Sequence, residues 1–297
     1  MKKWIQAFRL RTLPLSLSCI LMGNFLAAWV GRFDCWVGSL TILTTVFLQI
    51  LSNLANDYGD SIHGADSDHR EGPSRAVQTG SITLVQMRKA IYLFAGLSLL
   101  SGILLIWIVF QDQIVIALSF LALGLMAIYA AITYTAGNNP YGYVGLGDIS
   151  VFIFFGLVGV VGSYYMQTKS FNSIILLPAI SSGFLATGVL NVNNIRDIES
   201  DIKAGKRSIP VRIGRKAAVA YHTILIIGAI ITALLFTGLT FTSWAQFLFL
   251  LITPLLLKNV VAVRSKTNAM ELDPYLKQLA ISTLLFVLLF GLGLNLT

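Results

Sequence analysis

Ile114-Val-Ile-Ala-Leu-Ser-Phe-Leu-Ala-Leu-Gly-Leu-Met-Ala-Ile-Tyr-Ala-Ala-Ile-Thr-Tyr134-Thr135 runs for 22 residues without a charged side chain. Wound as an α-helix it measures about 33 Å, enough to cross the hydrocarbon of a bilayer. Working outward, comparable apolar runs lie near 13–30, 38–57, 88–110, 144–166, 173–194, 219–238, 243–260 and 277–295. Of 297 residues, 56% are apolar and 11% charged, about half the charge of an ordinary soluble domain. These figures exclude a soluble globular protein. No alternating pattern suggests a barrel, and lipid-exposed backbone must satisfy its own hydrogen bonds. The expected fold is an all-α integral membrane protein, a nine-transmembrane-helix bundle in one domain over 1–297. Arg9 and Arg11 follow Met1-Lys2-Lys3, and no small-residue cleavage site comes after the first run, so it reads as a retained span.

The net charge of +8 does not point to nucleic acid, because the basic residues sit in short segments between apolar runs. Membrane orientation accounts for them. With the N-terminus inside, one side receives Lys2, Lys3, Arg9, Arg11, Arg70, Arg75, Arg88, Lys89, Arg196, Lys203, Lys206, Arg207, Arg212, Arg215, Lys216, Lys258, Arg264, Lys266 and Lys277. Only Arg32 and Lys169 fall on the other. The chain is therefore expected in the cytoplasmic (inner) membrane, N-terminus in the cytoplasm, with two long cytoplasmic loops at 58–87 and 195–218. Cys19 and Cys35 have no ligand spacing and read as packing residues.

Eight of the 13 acidic residues fall in two stretches that continue the second and sixth apolar runs. The first is Asn53-Leu-Ala-Asn56-Asp57-Tyr58-Gly59-Asp60-Ser-Ile-His63-Gly64-Ala-Asp66, followed by Asp68 and Glu71. The second is Asn191-Val-Asn193-Asn194-Ile-Arg196-Asp197-Ile-Glu199-Ser-Asp201. A spacing of four puts Asn56 with Asp60, and Asn193 with Asp197 and Asp201, on one helix face. Like charges so placed repel, so a cation belongs between them. Oxygen ligands, few per helix, suit magnesium, which shares its shell with substrate phosphates. Arg70 and Arg75 follow the first stretch; Lys203, Lys206 and Arg207 follow the second. Carboxylates for cations beside Arg and Lys for oxyanions describe a pyrophosphate site. The repeated pattern is compatible with an internal duplication.

A diphosphate site at a membrane surface suits an isoprenyl diphosphate, its head among metals and its tail between helices or in lipid. Metal would neutralise the departing diphosphate, and exclusion of water would protect an allylic cation. Tyr58, Tyr134, Tyr141, Tyr143, Tyr164 and Tyr165 offer aromatic faces to such a cation, or anchor the membrane interface. His63, His69 and His222 lie in a charged loop or an apolar span, where solvation or packing explains them. Two rivals remain. An ion-coupled transporter would carry its acids near the bilayer midplane, and a lipid phosphotransferase would ordinarily show a single compact aspartate motif.

Asn56-x-x-x-Asp60 with Asp66, and Asn193-x-x-x-Asp197-x-x-x-Asp201, resemble the paired signatures of the UbiA-type intramembrane prenyltransferases. The likeness extends over nearly the whole chain. It implies nine helices around a central cavity capped by the two aspartate-rich loops. Within that superfamily, Arg9-Leu-Arg11-Thr12-Leu-Pro14-Leu-Ser16, Asn56-Asp57-Tyr58-Gly59-Asp60, Gly72-Pro73-x-Arg75-x-Val-Gln78-x-Gly80 and Tyr134-Thr135-Ala-Gly137-Asn-Asn-Pro140-Tyr141-Gly142-Tyr143-Val-Gly145-Leu-Gly147-Asp148 resemble the branch that prenylates 1,4-dihydroxy-2-naphthoate in menaquinone biosynthesis. Gly64 stands where many members have a third aspartate, the acid being displaced to Asp66, as in the naphthoate branch.

The resemblance implies transfer from an all-trans polyprenyl diphosphate to 1,4-dihydroxy-2-naphthoate, releasing diphosphate and carbon dioxide and giving demethylmenaquinone. Another aromatic acceptor is the alternative. It further implies Mg2+ at Asn56, Asp60, Asp66, Asp197 and Asp201, the catalytic set being Asn56, Asp60, Asp197 and Asp201. Substrate binding then falls to Asn193, Arg75, Lys206 and Arg207 around the diphosphate, and to Tyr134, Tyr143 and Asp148 at the acceptor or cation. Arg9 and Arg11 serve as membrane anchors or meet the acceptor carboxylate.

Overall fold

Long apolar runs close their backbone hydrogen bonds internally, and each becomes one rod. The computed structural model describes residues 2–63 and 76–296, and every regular element among them is helical. Nine helices among the described residues are long and apolar enough to cross a membrane: Lys3–Trp29, Cys35–Ile62, Leu84–Phe110, Ile114–Thr133, Gly147–Thr168, Ser173–Arg196, Ile209–Leu239, Trp244–Ser265 and Ala269–Asn295. They are called the first to ninth spans below. The expected fold class is therefore found.

Several helices outlast their apolar runs at the end that carries the acidic stretches. The second span continues past Asp57 and Asp60 to Ile62, the seventh starts at Ile209 rather than 219, and the ninth at Ala269 rather than 277. Hydropathy marks where hydrocarbon ends, whereas a helix continues while its terminal amides find partners. Asn268 supplies one such partner, its side chain accepting from the Met270 amide at 2.9 Å. Pro210 sits in the first turn of the seventh span, where its missing N–H is harmless. Gly214, at φ 78°, kinks that span just beyond. The loops expected at 58–87 and 195–218 are thus shorter than anticipated, and Arg212, Arg215 and Lys216 lie on a helix.

The sixth span is the hub, packed against the fifth, seventh and ninth. The first span lies along the ninth, while the second, third and fourth form a neighbouring group. The main core includes Phe236, Phe249, Phe286 and Phe290, with Phe249 and Phe290 centred 5.5 Å apart. Outward faces remain apolar, with Tyr92, Trp107 and Val115 all exposed, as a lipid-facing surface requires. Lipid removes the hydrophobic drive for helices to associate, so close packing of small residues takes its place. A Cβ on Gly156 would lie 2.6 Å from the Cα of Gly183, so the fifth and sixth spans meet backbone to backbone.

Gly59 makes a similar approach at the acidic end, where a Cβ would lie 2.4 Å from the Thr135 carbonyl carbon. Gly59→Ala is expected to lower stability by about 1–3 kcal/mol through overpacking. Thermal unfolding in detergent reads this as a lower apparent Tm, and an unchanged Tm would show that the 134–136 backbone yields freely.

Candidate active site at the acidic end of the bundle

The second span presents its last turns to two neighbours. Asp57 is buried and ion-paired with Arg9, which leaves the short helix Lys2–Phe8 in a left-handed conformation, φ 48°. Asn53 secures the same turn, donating to the Phe8 carbonyl at 2.8 Å and to Thr12 Oγ1 at 2.9 Å. Arg9 thus joins the site through Asp57. On the adjoining face, Thr135 Oγ1 donates to Asn56 Oδ1 at 3.1 Å, and the Tyr143 hydroxyl donates to Asp60 Oδ1 at 2.9 Å. Asp60 is buried.

The second stretch bends. The helix expected to carry Asn193, Asp197 and Asp201 on one continuous face ends at Arg196, and a short helix, Ile198–Lys203, follows. Asp197 occupies the joint at φ −95°, ψ 11°. The four-residue spacing survives in the amides, since Asp197 N–H donates to the Asn193 carbonyl at 3.1 Å and Asp201 N–H to that of Asp197 at 2.8 Å.

The cation anticipated between these acids is supplied in part by the chain. Arg196, with 1% of its side chain exposed, grips Asp197 with Nε at 2.7 Å and Nη2 at 2.8 Å. It also donates to Asn193 Oδ1 at 2.9 Å and to Asp273 Oδ1 at 2.5 Å. Asp273 in turn lies 3.9 Å from Arg11. Asp201 meets Lys206 Nζ at 3.2 Å and the Ser208 hydroxyl at 3.0 Å. Burial pushes the Asp201 carboxyl above its ordinary pKa; Lys206 opposes the rise and the charge on Asp197 adds to it.

The segment from Tyr134 to Asp148 joins the two stretches. Tyr143 reaches both, because its hydroxyl donates to Asp60 while its carbonyl accepts the Arg207 amide at 2.8 Å. Tyr134 is buried against Tyr141, ring centres 5.3 Å apart. Burial raises the Tyr134 hydroxyl pKa, and the charges of Asp148, Asp60 and Asp201 raise it further, so the hydroxyl stays protonated and can donate a hydrogen bond. The His63 ring lies 5.5 Å from that of Tyr143.

Asn56, Asp60, Asn193, Asp197, Asp201, Lys206, Arg207, Tyr134, Tyr143 and Asp148 therefore belong to one end of the bundle. Asp66 and Arg75, with Asp68, His69, Arg70 and Glu71, lie outside the described residues. Lys206, anticipated at phosphate, is engaged with Asp201, whereas Arg207 is exposed. Tyr164 and Tyr165 are elsewhere. They sit near Thr168, at the far end of the fifth span from Asp148, with Tyr165 stacked on Phe120 at 5.6 Å. Tyr58 packs into the apolar group around the second span. His222 is buried and paired with Asn259 at 3.0 Å. Sequence reading quoted Thr135 only as part of the segment from Tyr134 to Asp148, overlooked Ser208 and Asp273, and counted Arg196 only toward orientation. Adjacency to Asp197 could have flagged Arg196; nothing local marks Asp273.

The donor set suits a hard divalent cation, being entirely carboxylate and amide oxygen. Among the described residues, no three His, Cys, Asp or Glu side chains group closely enough to hold an ion. Each ion would then take one or two carboxylates here and complete its shell with substrate oxygens and water, which is how magnesium is usually held.

Nine apolar helices among the described residues, with the carboxylate and amide stretches gathered at one end, define a multi-pass membrane protein whose charged groups concentrate at that end. The model of the UbiA prenyltransferase family matches residues 16–282. A 1,4-dihydroxy-2-naphthoate octaprenyltransferase of Haemophilus influenzae is 47% identical over 296 residues, covering 99% of this chain and 96% of that protein. One from Escherichia coli is 44% identical over 294 residues, covering 99% and 95%. The fold is similar to that of a UbiA homolog from Archaeoglobus fulgidus bound to GPP and Mg2+, with TM-score 0.63 at 16% identity over 99% of this chain and 100% of that one. The chain belongs to the UbiA prenyltransferase family.

Proposed function

We propose that this protein, acting as one domain over 1–297, transfers a polyprenyl group from a polyprenyl diphosphate to 1,4-dihydroxy-2-naphthoate, the step that yields demethylmenaquinol, the reduced form of demethylmenaquinone. The observation that carries the reading is the bridge through Tyr143, whose hydroxyl meets Asp60 and whose carbonyl meets the Arg207 amide, next to the Lys206 that pairs with Asp201. The naphthoate acceptor rests on the relatives named above. Orientation follows the basic residues, placing the acidic end and the N-terminus in the cytoplasm and the bundle in the cytoplasmic membrane.

Asp60, Asn56, Asp197 and Asp201, with Asp66, would hold magnesium. When bound, the metal neutralises the departing diphosphate and favours ionisation of the allylic C–O bond. Arg207, Lys206, Arg75 and Asn193 would bind the diphosphate, Lys206 being held beside it by Asp201 at 3.2 Å. Tyr134 and Tyr143 offer their faces to the developing cation, and burial of the surrounding acids keeps water away. The ring carbon bonds to C1 of the prenyl group as diphosphate leaves, and the carboxyl group departs as carbon dioxide, its bonding pair restoring the aromatic ring.

Purified protein given farnesyl diphosphate, 1,4-dihydroxy-2-naphthoate and magnesium is expected to form a prenylated naphthoquinol detectable by mass. Chelation should abolish it and added magnesium restore it. Preferential prenylation of 4-hydroxybenzoate would refute the acceptor assignment.

A further inference from the structure

Asp148 belongs to neither acidic stretch, yet it is buried in the first turn of the fifth span, with 6% of its surface exposed. Its Oδ1 has no hydrogen-bond partner among the described residues, and none of the ion pairs among them includes it. A buried carboxylate oxygen with nothing to accept from carries a free-energy cost, which a water, an ion or a ligand hydroxyl would relieve. Tyr221, from the seventh span, is an electrostatic neighbour of this carboxylate.

The position relative to the other acids is defined by Tyr134. Its hydroxyl lies against Gly147, 2.7 Å from where a Cβ would be, and its electrostatic neighbours are Asp148, Tyr141, Asp60 and Asp201. Asp148 thus shares Tyr134 as a neighbour with Asp60 and Asp201.

A carboxylate accepts hydrogen bonds and repels anions. It selects a donor, and the proposed acceptor carries two hydroxyls beside a carboxylate. The 1-hydroxyl is occupied by the neighbouring 2-carboxylate, as in salicylates, which leaves the 4-hydroxyl as the available donor. We infer that Asp148 accepts a hydrogen bond from the 4-hydroxyl of the dihydroxynaphthoate and that Tyr221 is a positioning residue holding its carboxylate for that contact. This deepens the acceptor reading above and rests on it. The contact orients the ring toward the prenyl donor and increases electron density on it, since a hydroxyl donating to a carboxylate shares part of its negative charge with the ring.

The test uses steady-state kinetics of the full chain in detergent with farnesyl diphosphate, magnesium and 1,4-dihydroxy-2-naphthoate, and 1-hydroxy-2-naphthoate as an inhibitor that lacks the 4-hydroxyl. Asp148→Asn is expected to raise the acceptor KM roughly 10-fold, because a charge-assisted bond becomes a neutral one. Tyr221→Phe should raise it about 3-fold, and the double variant should behave like Asp148→Asn alone, as coupled residues do. The KM for farnesyl diphosphate and the inhibition constant of 1-hydroxy-2-naphthoate should both stay unchanged in every variant. An unchanged acceptor KM in Asp148→Asn, or equal weakening of acceptor and inhibitor, would overturn the inference while leaving the function intact. Wild-type protein that fails to prenylate the naphthoate would overturn the function itself, and this contact with it.

Discussion

Asp60→Asn is expected to slow prenyl transfer by roughly 10²–10³-fold, the usual loss when one preorganised electrostatic group is removed from a water-poor site. Asparagine keeps the shape and can still accept the Tyr143 hydroxyl that meets Asp60 at 2.9 Å. The helix and the bridge to the second stretch should therefore survive, and only the negative charge is lost. Turnover measured against magnesium concentration checks the role: the half-saturating magnesium should rise while the apparent Tm stays near that of the wild type. Wild-type turnover in this variant would refute the placement of a metal ion at Asp60. The companion change Tyr143→Phe removes the hydrogen bond but not the charge, so it should cost far less.

The second large effect concerns stability. Arg196→Met is expected to destabilise the protein by about 3–5 kcal/mol, the cost of removing one partner from a buried ion pair. The guanidinium is enclosed and holds Asp197, Asn193 and Asp273 together. Without it, buried Asp197 loses both of its guanidinium contacts and Asp273 is left, among the described residues, with Arg11 at 3.9 Å. Thermal unfolding in detergent should show the drop at millimolar chelator, and added magnesium should recover part of it by supplying the missing positive charge to Asp197. A loss below about 1 kcal/mol, the value for exposed pairs, would mean that water reaches the cluster readily.

Much of the candidate site was legible in the amino-acid sequence. Asn56, Asp60, Asn193, Asp197 and Asp201 stood out because acids are scarce in this chain and because their spacing repeats, and all five sit at one end of the bundle. The loop from Tyr134 to Asp148 was legible from its glycines and tyrosines, and Gly142 does lie against Tyr134, its amide donating to the Tyr134 carbonyl at 3.0 Å. The break at Asp197 was not legible: four-residue spacing is compatible with a continuous helix and with two helices that share a hydrogen-bonded joint. Tyr164 and Tyr165 were misplaced for a simpler reason, since proximity to a helix end in sequence does not say which end.

By itself the sequence determined the class of fold, the number of spans and the composition of the charged end. Those properties follow from transfer free energies that accumulate residue by residue along each segment. Tertiary structure decided the partners: Arg9 with Asp57, Arg196 with both Asp197 and Asp273, Lys206 with Asp201, and Tyr221 with Asp148. Arg196 and Asp273 are 77 residues apart and come from different spans. Their pairing depends on how the sixth and ninth spans pack and on the short distance over which buried charges must be compensated, and no local pattern of residues carries that information.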